Sequence, residues 1–450
     1  MTEEFKSYPK IIVYGLGMAG WSIMINIISV MIIYFYLPPT DSGLPALIPQ
    51  VSLFGIFTLF SLVLASGRIL DAVTDPLIAW LSDRSGFKMG RRIPFMLMAL
   101  LPSLLFCVLI FVPLHSTESS GNYFWLLFTQ AGFYLSLTLY SVPYNALMPE
   151  LAKTKDQKLL FSAVLSLMFV LGIIISSQIP LVAELLHSVF IGLSEQNYYQ
   201  YSIALVAGVG FLLMLMPILF ISERRYCESK PVKTSITSSL YSTLKNKNFA
   251  LFLIADAAFF LALALISSGI FYYVTVLLGL SGSLGSRVLA LMIVLSLLFY
   301  PLVVKLARKY GKRPLVVFSF FLFSFLFLVI SGFGRYSVPA IYQLYFLAIL
   351  AAFPVAVLGI LPFTIVAEIA EDEGQRTGEQ KEGMFYAART FSDKLGQTLG
   401  VMIFAMFTLF GKDQGDDLGI RLSALMGMAV CIFAGFIFLF FREIKKGSPV

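Results

Sequence analysis

Within GRILDAVTDPLIAW (residues 67–80), Arg68, Asp71 and Asp75 follow one another at steps of three and four, directly after a charge-free run at 51–66. On an α-helix those steps keep all three side chains on one face, so a polar stripe interrupts an apolar cylinder. Two carboxylates one turn apart repel each other unless a cation or a proton offsets them, which makes Asp71 and Asp75 a candidate ligand set for Na⁺ or H⁺. An ionised group at mid-bilayer costs about 2.5–3.5 kcal/mol on insertion scales, and such residues usually turn toward a polar interior. Spacing alone leaves a second reading open. Counted from Val51 at 1.5 Å per residue, Asp71 lies about 30 Å along the helix, where the stripe would simply emerge at the membrane surface.

A second charged set stands in EGMFYAARTFSDKLGQTLG (382–400). Arg389 and Asp393 are one turn apart and are expected to pair with each other. Lys394 points about 100° away around the helix and needs its own counter-charge, for which Asp71 and Asp75 are the candidates. Other chemistry finds little support. His115 and His187 have no metal-ligand spacing around them, and no Gly-x-Ser-x-Gly elbow or phosphate-binding loop occurs, so an enzyme is not expected. Cys107, Cys227 and Cys431 are too scattered for a disulfide framework or a metal site.

The elements that must position these residues follow from hydropathy. The chain has 450 residues, 58% hydrophobic and only 13% charged, with a mean hydropathy of +0.87. That composition implies an all-α membrane protein. Apolar stretches long enough to cross a ~30 Å hydrocarbon layer recur at 11–36, 48–81, 93–113, 123–148, 159–186, 198–221, 249–278, 286–307, 314–333, 339–367, 383–410 and 421–441. If the N-terminus is cytoplasmic, alternate loops on that side hold 25 of the 32 Lys and Arg. Basic residues are retained preferentially on the cytoplasmic side, so both termini are expected there. The net charge of +7 then reflects topology, and no nucleic-acid partner is implied. The first span is too long for a signal-peptide core and is expected to be retained. The sequence contains no Asn-x-Ser/Thr sequon, in keeping with a bacterial-type inner membrane.

The chain also repeats itself. Gly90-Arg91-Arg92-Ile93-Pro94 opens the third span and Gly311-Lys312-Arg313-Pro314 the ninth, with the prolines 220 residues apart. Val142-Pro143-Tyr144 runs on to Glu150, and Leu361-Pro362-Phe363 to Glu368, with the prolines 219 apart. Two echoes at nearly one offset argue for a duplicated six-helix unit. The expected organisation is a bundle at 1–221, a polar cytoplasmic linker at 222–248 and a second bundle at 249–450. Pro143 and Pro362 are expected to interrupt their helices.

This layout, with the SDRSG…GRR turn between the second and third spans, resembles the major facilitator superfamily. GRILDAVTDPLIAWLSDRSGFKMGRR, YSVPYNALMPEL and GEQKEGMFYAARTFSDKLG together resemble its glycoside–pentoside–hexuronide:cation symporters, the melibiose permease branch. The resemblance covers nearly the whole chain. It implies two six-helix bundles with a small-molecule substrate held between them, and cation-coupled symport of a sugar, glycoside or uronide by alternating access. By that resemblance Asp71, Asp75 and Thr138 bind Na⁺ or H⁺, with Ser141 standing where the permease has an acidic residue. Lys394 couples cation and solute sites, flanked by Thr390 and supported by Arg68. Trp21, Ser22, Tyr144, Asn145 and Arg389 form the candidate solute set, in which Arg389 would face an anionic solute such as a uronide. Ser22 replaces a sugar-binding aspartate, and the fifth span lacks the arginine that grips galactosides, so galactoside specificity is not implied. The animal sodium-dependent lysophospholipid carriers resemble the same branch, which leaves an amphiphile carrier or an uncoupled facilitator as alternatives. No cofactor beyond the coupling ion, and a monomer in the bilayer, complete the expectation.

Overall fold

The structure, a computed structural model, describes residues 8–53, 57–87, 89–152, 154–226, 246–377 and 382–443. The chain divides into two compact units, residues 1–232 and 233–450. The expected linker at 222–248 falls largely on 227–245, outside the described residues.

The first unit contains α1 (Tyr8–Tyr36), α2 (Leu59–Arg84), α3 (Ile93–Ile110), α4 (Gly121–Leu151), α5 (Lys155–Ser176), α6 (Ile179–Val189), α7 (Glu195–Phe220) and the single turn α8 (Glu223–Tyr226). The second contains α9 (Lys247–Tyr272), α10 (Gly282–Tyr310), α11 (Lys312–Ser331), α12 (Ala340–Thr377), α13 (Glu382–Phe407) and α14 (Leu418–Phe438). A two-residue antiparallel pair, β1 (Ser52–Leu53) with β2 (Phe57–Thr58), precedes α2. By length and composition, eight described helices are apolar enough to cross a membrane, and the α5–α6 pair, bent by 42°, makes a ninth. The long helices that fall short are α2, α4 and α13, the ones carrying the charged and hydroxyl-rich stretches.

Three sequence expectations change. The second span was placed at 48–81, but its helix begins at Leu59, where Thr58 and Ser61 form a capping box: Ser61 N donates to Thr58 Oγ1 at 2.9 Å and Thr58 N to Ser61 Oγ at 3.2 Å. Hydropathy registers apolar content and is blind to where hydrogen bonding starts a helix. The fifth span, expected to be continuous, breaks between Ser176 and Ile179, with Pro180 in the first turn of α6. A proline cannot supply the backbone N–H that would carry the preceding turn onward. Conversely, α4 and α12 run unbroken through Pro143 and Pro362.

The packing within each unit follows one scheme. In the first, α1 lies against α5 and α7, α4 against α2 and α3, and α3 against α7. In the second, α9 lies against α13 and α14, α12 against α10 and α11, and α11 against α14. Small residues permit the close approaches: a Cβ on Gly20 would stand 2.4 Å from Gly210 O, and one on Gly396 2.2 Å from Ala257 O. Membrane helices gain little from hydrophobic exclusion and associate through such backbone-to-backbone packing.

The duplicated glycine–basic motif turns out to be one device built twice. In the first unit the Glu223 carboxylate caps α3, accepting from Arg91 N at 2.9 Å, Arg92 N at 2.8 Å and Ile93 N at 3.1 Å. Arg91 and Arg92 pair with Glu150 at 3.1 and 2.8 Å. In the second, Glu443 accepts from Lys312 N at 2.7 Å and Arg313 N at 3.4 Å, while Lys312 pairs with Glu368. A carboxylate at a helix N-terminus satisfies orphan N–H groups and meets the positive end of the dipole. Gly90 and Gly311 have φ of +124° and +88°. A Cβ on either would come within 2.3 and 2.6 Å of the capping carboxylate oxygens.

Candidate functional site

With α2 starting at Leu59 rather than near Val51, Asp71 lies about 18 Å and Asp75 about 24 Å into the helix at 1.5 Å per residue. Asp71 therefore stands near the middle of α2, Leu59–Arg84. Three helices meet on this stripe. Arg68, buried at 8% exposure, donates from Nη2 to Ser29 Oγ of α1 at 2.7 Å and stands 5.9 Å from the Tyr134 ring of α4. The half-buried Asp71 accepts a hydrogen bond from Thr138 Oγ1 of α4. Asp75, also half-buried, follows one turn later. Ser141 is half-buried one turn beyond Thr138.

The chemistry of this group is that of an oxygen-rich, electronegative half-pocket. Two carboxylates and a hydroxyl offer the hard oxygen donors that an alkali cation or a proton takes, and Arg68 balances one of the two negative charges. Sequence reading overlooked Ser29. The signal was present as a second polar stripe, Ser22, Asn26 and Ser29, at steps of four and three along apolar α1.

The solute candidates in this unit separate. Ser22 is fully enclosed, its Oγ donating to Phe169 O of α5 at 2.7 Å and accepting from Asn26 Nδ2 at 3.2 Å. Tyr144 is likewise enclosed: its hydroxyl donates to Tyr14 O at 2.6 Å, Tyr14 returns the bond to Tyr144 O at 2.5 Å, and the two rings stack at 4.4 Å. Both residues, expected to meet solute, instead tie α1 to its neighbours, because hydroxyls facing a packed helix satisfy its carbonyls. Trp21 differs. It is half-buried 6.1 Å from Phe169, and its indole Nε1 is enclosed with no acceptor among the described residues. An enclosed indole donor without a partner is uncommon and is a natural position for a ligand oxygen. Asn145 is exposed.

In the second unit, the expected Arg389–Asp393 pair gives way to a different one. Arg389 donates to Asp256 of α9, Nε to Oδ2 at 2.7 Å and Nη2 to Oδ1 at 3.4 Å, with side-chain exposures of 4% and 0%. Its guanidinium also lies 4.1 Å from the centre of the Phe363 ring on α12. The close α9–α13 packing puts a carboxylate in front of the planar fork, and that geometry is stronger than a pair strung along one helix surface. Enclosed in this way, Arg389 is not open to an anionic solute. Asp256 was missed, although a lone acid in LIADAAFFLALAL is the same kind of signal as Arg68. Lys394 is half-buried on α13, and Thr390 is exposed, its hydroxyl turned back to Tyr386 O at 3.0 Å.

The family model described as MFS/sugar transport protein matches residues 13–446. The uncharacterized symporter YnaJ of Bacillus subtilis is 24% identical over 75% of this chain and 71% of its own. The glucuronide carrier protein homolog of Escherichia coli is 23% identical over 88% of this chain and 82% of its own. Among solved structures, the nucleoside transporter NupG superposes with a TM-score of 0.66 at 12% identity, covering 96% of this chain and 99% of the other. At that identity the superposition establishes the fold.

Proposed function

The chain belongs to the MFS/sugar transport protein family, and from that premise we propose that a monovalent cation bound at Asp71, Asp75 and Thr138 drives symport of a sugar-type solute. It is a multi-pass membrane protein and a secondary transporter of the symporter kind, not an enzyme. The proposal concerns the ion, the solute and the residues.

The observation that carries it is the Thr138–Asp71 hydrogen bond near the middle of α2, which brings a hydroxyl from α4 to a carboxylate that shares its helix face with Asp75. A cation entering there replaces the repulsion of two carboxylates by attraction to both. Arg68, held by Ser29, keeps the stripe from carrying its full negative charge when the ion is absent. Ion-loaded and ion-free states then differ by one charge in a low-dielectric setting. That difference favours reorientation of some loading states over others, and it links ion to solute. Lys394 is the proposed coupling charge in the second unit. The orphan Trp21 indole is the proposed solute contact, with a glycoside or uronide as the solute class; the glucuronide carrier homolog among the relatives supports the latter. Both termini and the linker face the cytoplasm of an inner membrane, and the transporter acts as a monomer.

The test is uptake into vesicles under an imposed Na⁺ or proton gradient, using a panel of glycosides, pentoses and glucuronides. Asp75→Cys is expected to abolish gradient-driven accumulation while leaving the amount of protein in the membrane unchanged. Unaltered uptake by that variant removes the proposed ion site.

A further inference from the structure

The second unit holds a charge cluster that the proposed transport scheme does not use. Asp256 is wholly enclosed and both of its oxygens face Arg389, at 2.7 and 3.4 Å. Asp393 stands one turn beyond Arg389 on α13, on the same side of the helix. Its Oδ1 is buried and has no hydrogen-bond partner among the described residues. Among the described residues, no cation other than Arg389 pairs with Asp256 or Asp393. From α12 comes the Phe363 ring, and on α14 Arg421 is committed to Asp417 at 2.6 Å. On α13 itself, Tyr386 is uncharged and Lys394 points about 100° away from Asp393 around the helix.

Two carboxyls thus stand within one helical turn of a single guanidinium, whose fork is taken by Asp256. If both were ionised, one negative charge would stay uncompensated in the interior, which low-dielectric surroundings strongly disfavour. Neighbouring carboxyls relieve such an excess by keeping one proton between them. A metal ion is a poor alternative, since the guanidinium sits inside the cluster and already occupies the oxygens of Asp256. The cavity beside Asp256 measures only about 10 Å³ and is otherwise walled by apolar side chains such as Phe252, Phe259 and Pro362. On that side of Asp256 there is room for at most one water molecule and no oxygen shell for a metal.

We propose that Asp256, Arg389 and Asp393 form a proton-binding site of the second unit, with one proton shared by the two carboxyls and Arg389 balancing the remaining charge. The site is made of other residues than the α2 stripe and holds its proton whichever monovalent cation that stripe takes. Its proton is what lets α9 and α13 pack closely across the cluster, so releasing it weakens the helix pair on which Lys394 is carried.

Infrared difference spectroscopy on the purified full-length protein in lipid nanodiscs, paired with thermal melts across pH, tests this directly. At neutral pH the wild type should show the carbonyl stretch of a protonated, enclosed carboxylic acid. Asp393→Asn should remove the band. Asp256→Asn should remove it as well, because Arg389 then faces a single carboxylate that ionises, an effect a merely structural role would not produce. The Asp71→Asn, Asp75→Asn double variant should keep it. Unfolding releases the shared proton at neutral pH, so the wild-type melting temperature should fall as pH rises through the range where the band disappears. In Asp393→Asn that dependence should be absent while the neutral-pH melt is unchanged. A band that survives both Asp393→Asn and Asp256→Asn overturns the proposal, and so does an Asp393→Asn protein that fails to fold or melts as low as Arg389→Leu.

Discussion

The α2 stripe and the α9–α13 triad have the same charges, one arginine and two aspartates, and opposite surroundings. In the first unit the acids stand half-buried on a single helix, and the arginine is tied to a serine hydroxyl on another. In the second, one acid is wholly enclosed and locked bidentate to the arginine across two helices. Oxygen supply and access, rather than formal charge, set what each group can bind. A hydroxyl and two half-buried carboxylates suit an ion with a coordination shell, whereas a carboxyl enclosed against a guanidinium leaves room for no more than a bare proton.

The sharpest way to break this contrast is to remove each arginine in turn. Arg389→Leu strands an enclosed carboxylate and should cost about 3–5 kcal/mol in thermal or chemical unfolding, most of it recovered by adding Asp256→Leu. Arg68→Leu leaves Asp71 with Thr138 and should cost roughly 1–2 kcal/mol. Equal losses at the two sites would show that burial is not what distinguishes them.

Ion binding sharpens the contrast further. With Na⁺ at a hundredfold excess over its dissociation constant, a site stabilises the folded protein by about 2.7 kcal/mol. Replacing choline with Na⁺ should therefore raise the melting temperature of the wild type and of Asp256→Asn, but not of Asp71→Asn. A Na⁺ response that follows Asp256 instead would exchange the two assignments.

The glycine latches should behave alike where the charge clusters do not. Gly90→Ala and Gly311→Ala each force a Cβ into a positive-φ backbone against a capping glutamate. Each should cost about 1–3 kcal/mol in melts of the full chain, and a marked inequality would mean that only one latch bears on stability.

The smallest expected effect lies in the loop before α14. The Arg421 guanidinium, hydrogen-bonded to Asp417, holds that carboxyl below its ordinary range. A depressed acid contributes stability that is present at neutral pH and fades as pH falls below about 3.9. Asp417→Asn should flatten that acid limb slightly. The sign is opposite to the loss on rising pH expected from the triad, so one pH series of melts separates the two.

Much of this molecule is legible in its sequence because the relevant forces are local or periodic. Transfer of apolar residues from water marks twelve spans, the three-to-four step places Arg68, Asp71 and Asp75 on one face, and the Gly90 and Gly311 echoes announce a duplication. Where hydrogen bonding rather than apolarity governs, the reading slips: the Thr58 capping box moved the start of α2, and with it the place of Asp71 along the helix. Pairing slips further. Arg389 was assigned to the acid four residues away, yet it meets Asp256 133 positions earlier, and Ser22 and Tyr144 spend their hydroxyls on neighbouring helices.

The sequence by itself determined that the chain spans a membrane, repeats a six-helix plan and carries charges that hydrocarbon would reject, since each of these follows from the residue and its near neighbours. Only the tertiary structure decided which partner each charge meets. A helix fixes the direction in which a side chain points, but the packing of glycine-lined backbones from distant segments fixes what stands there.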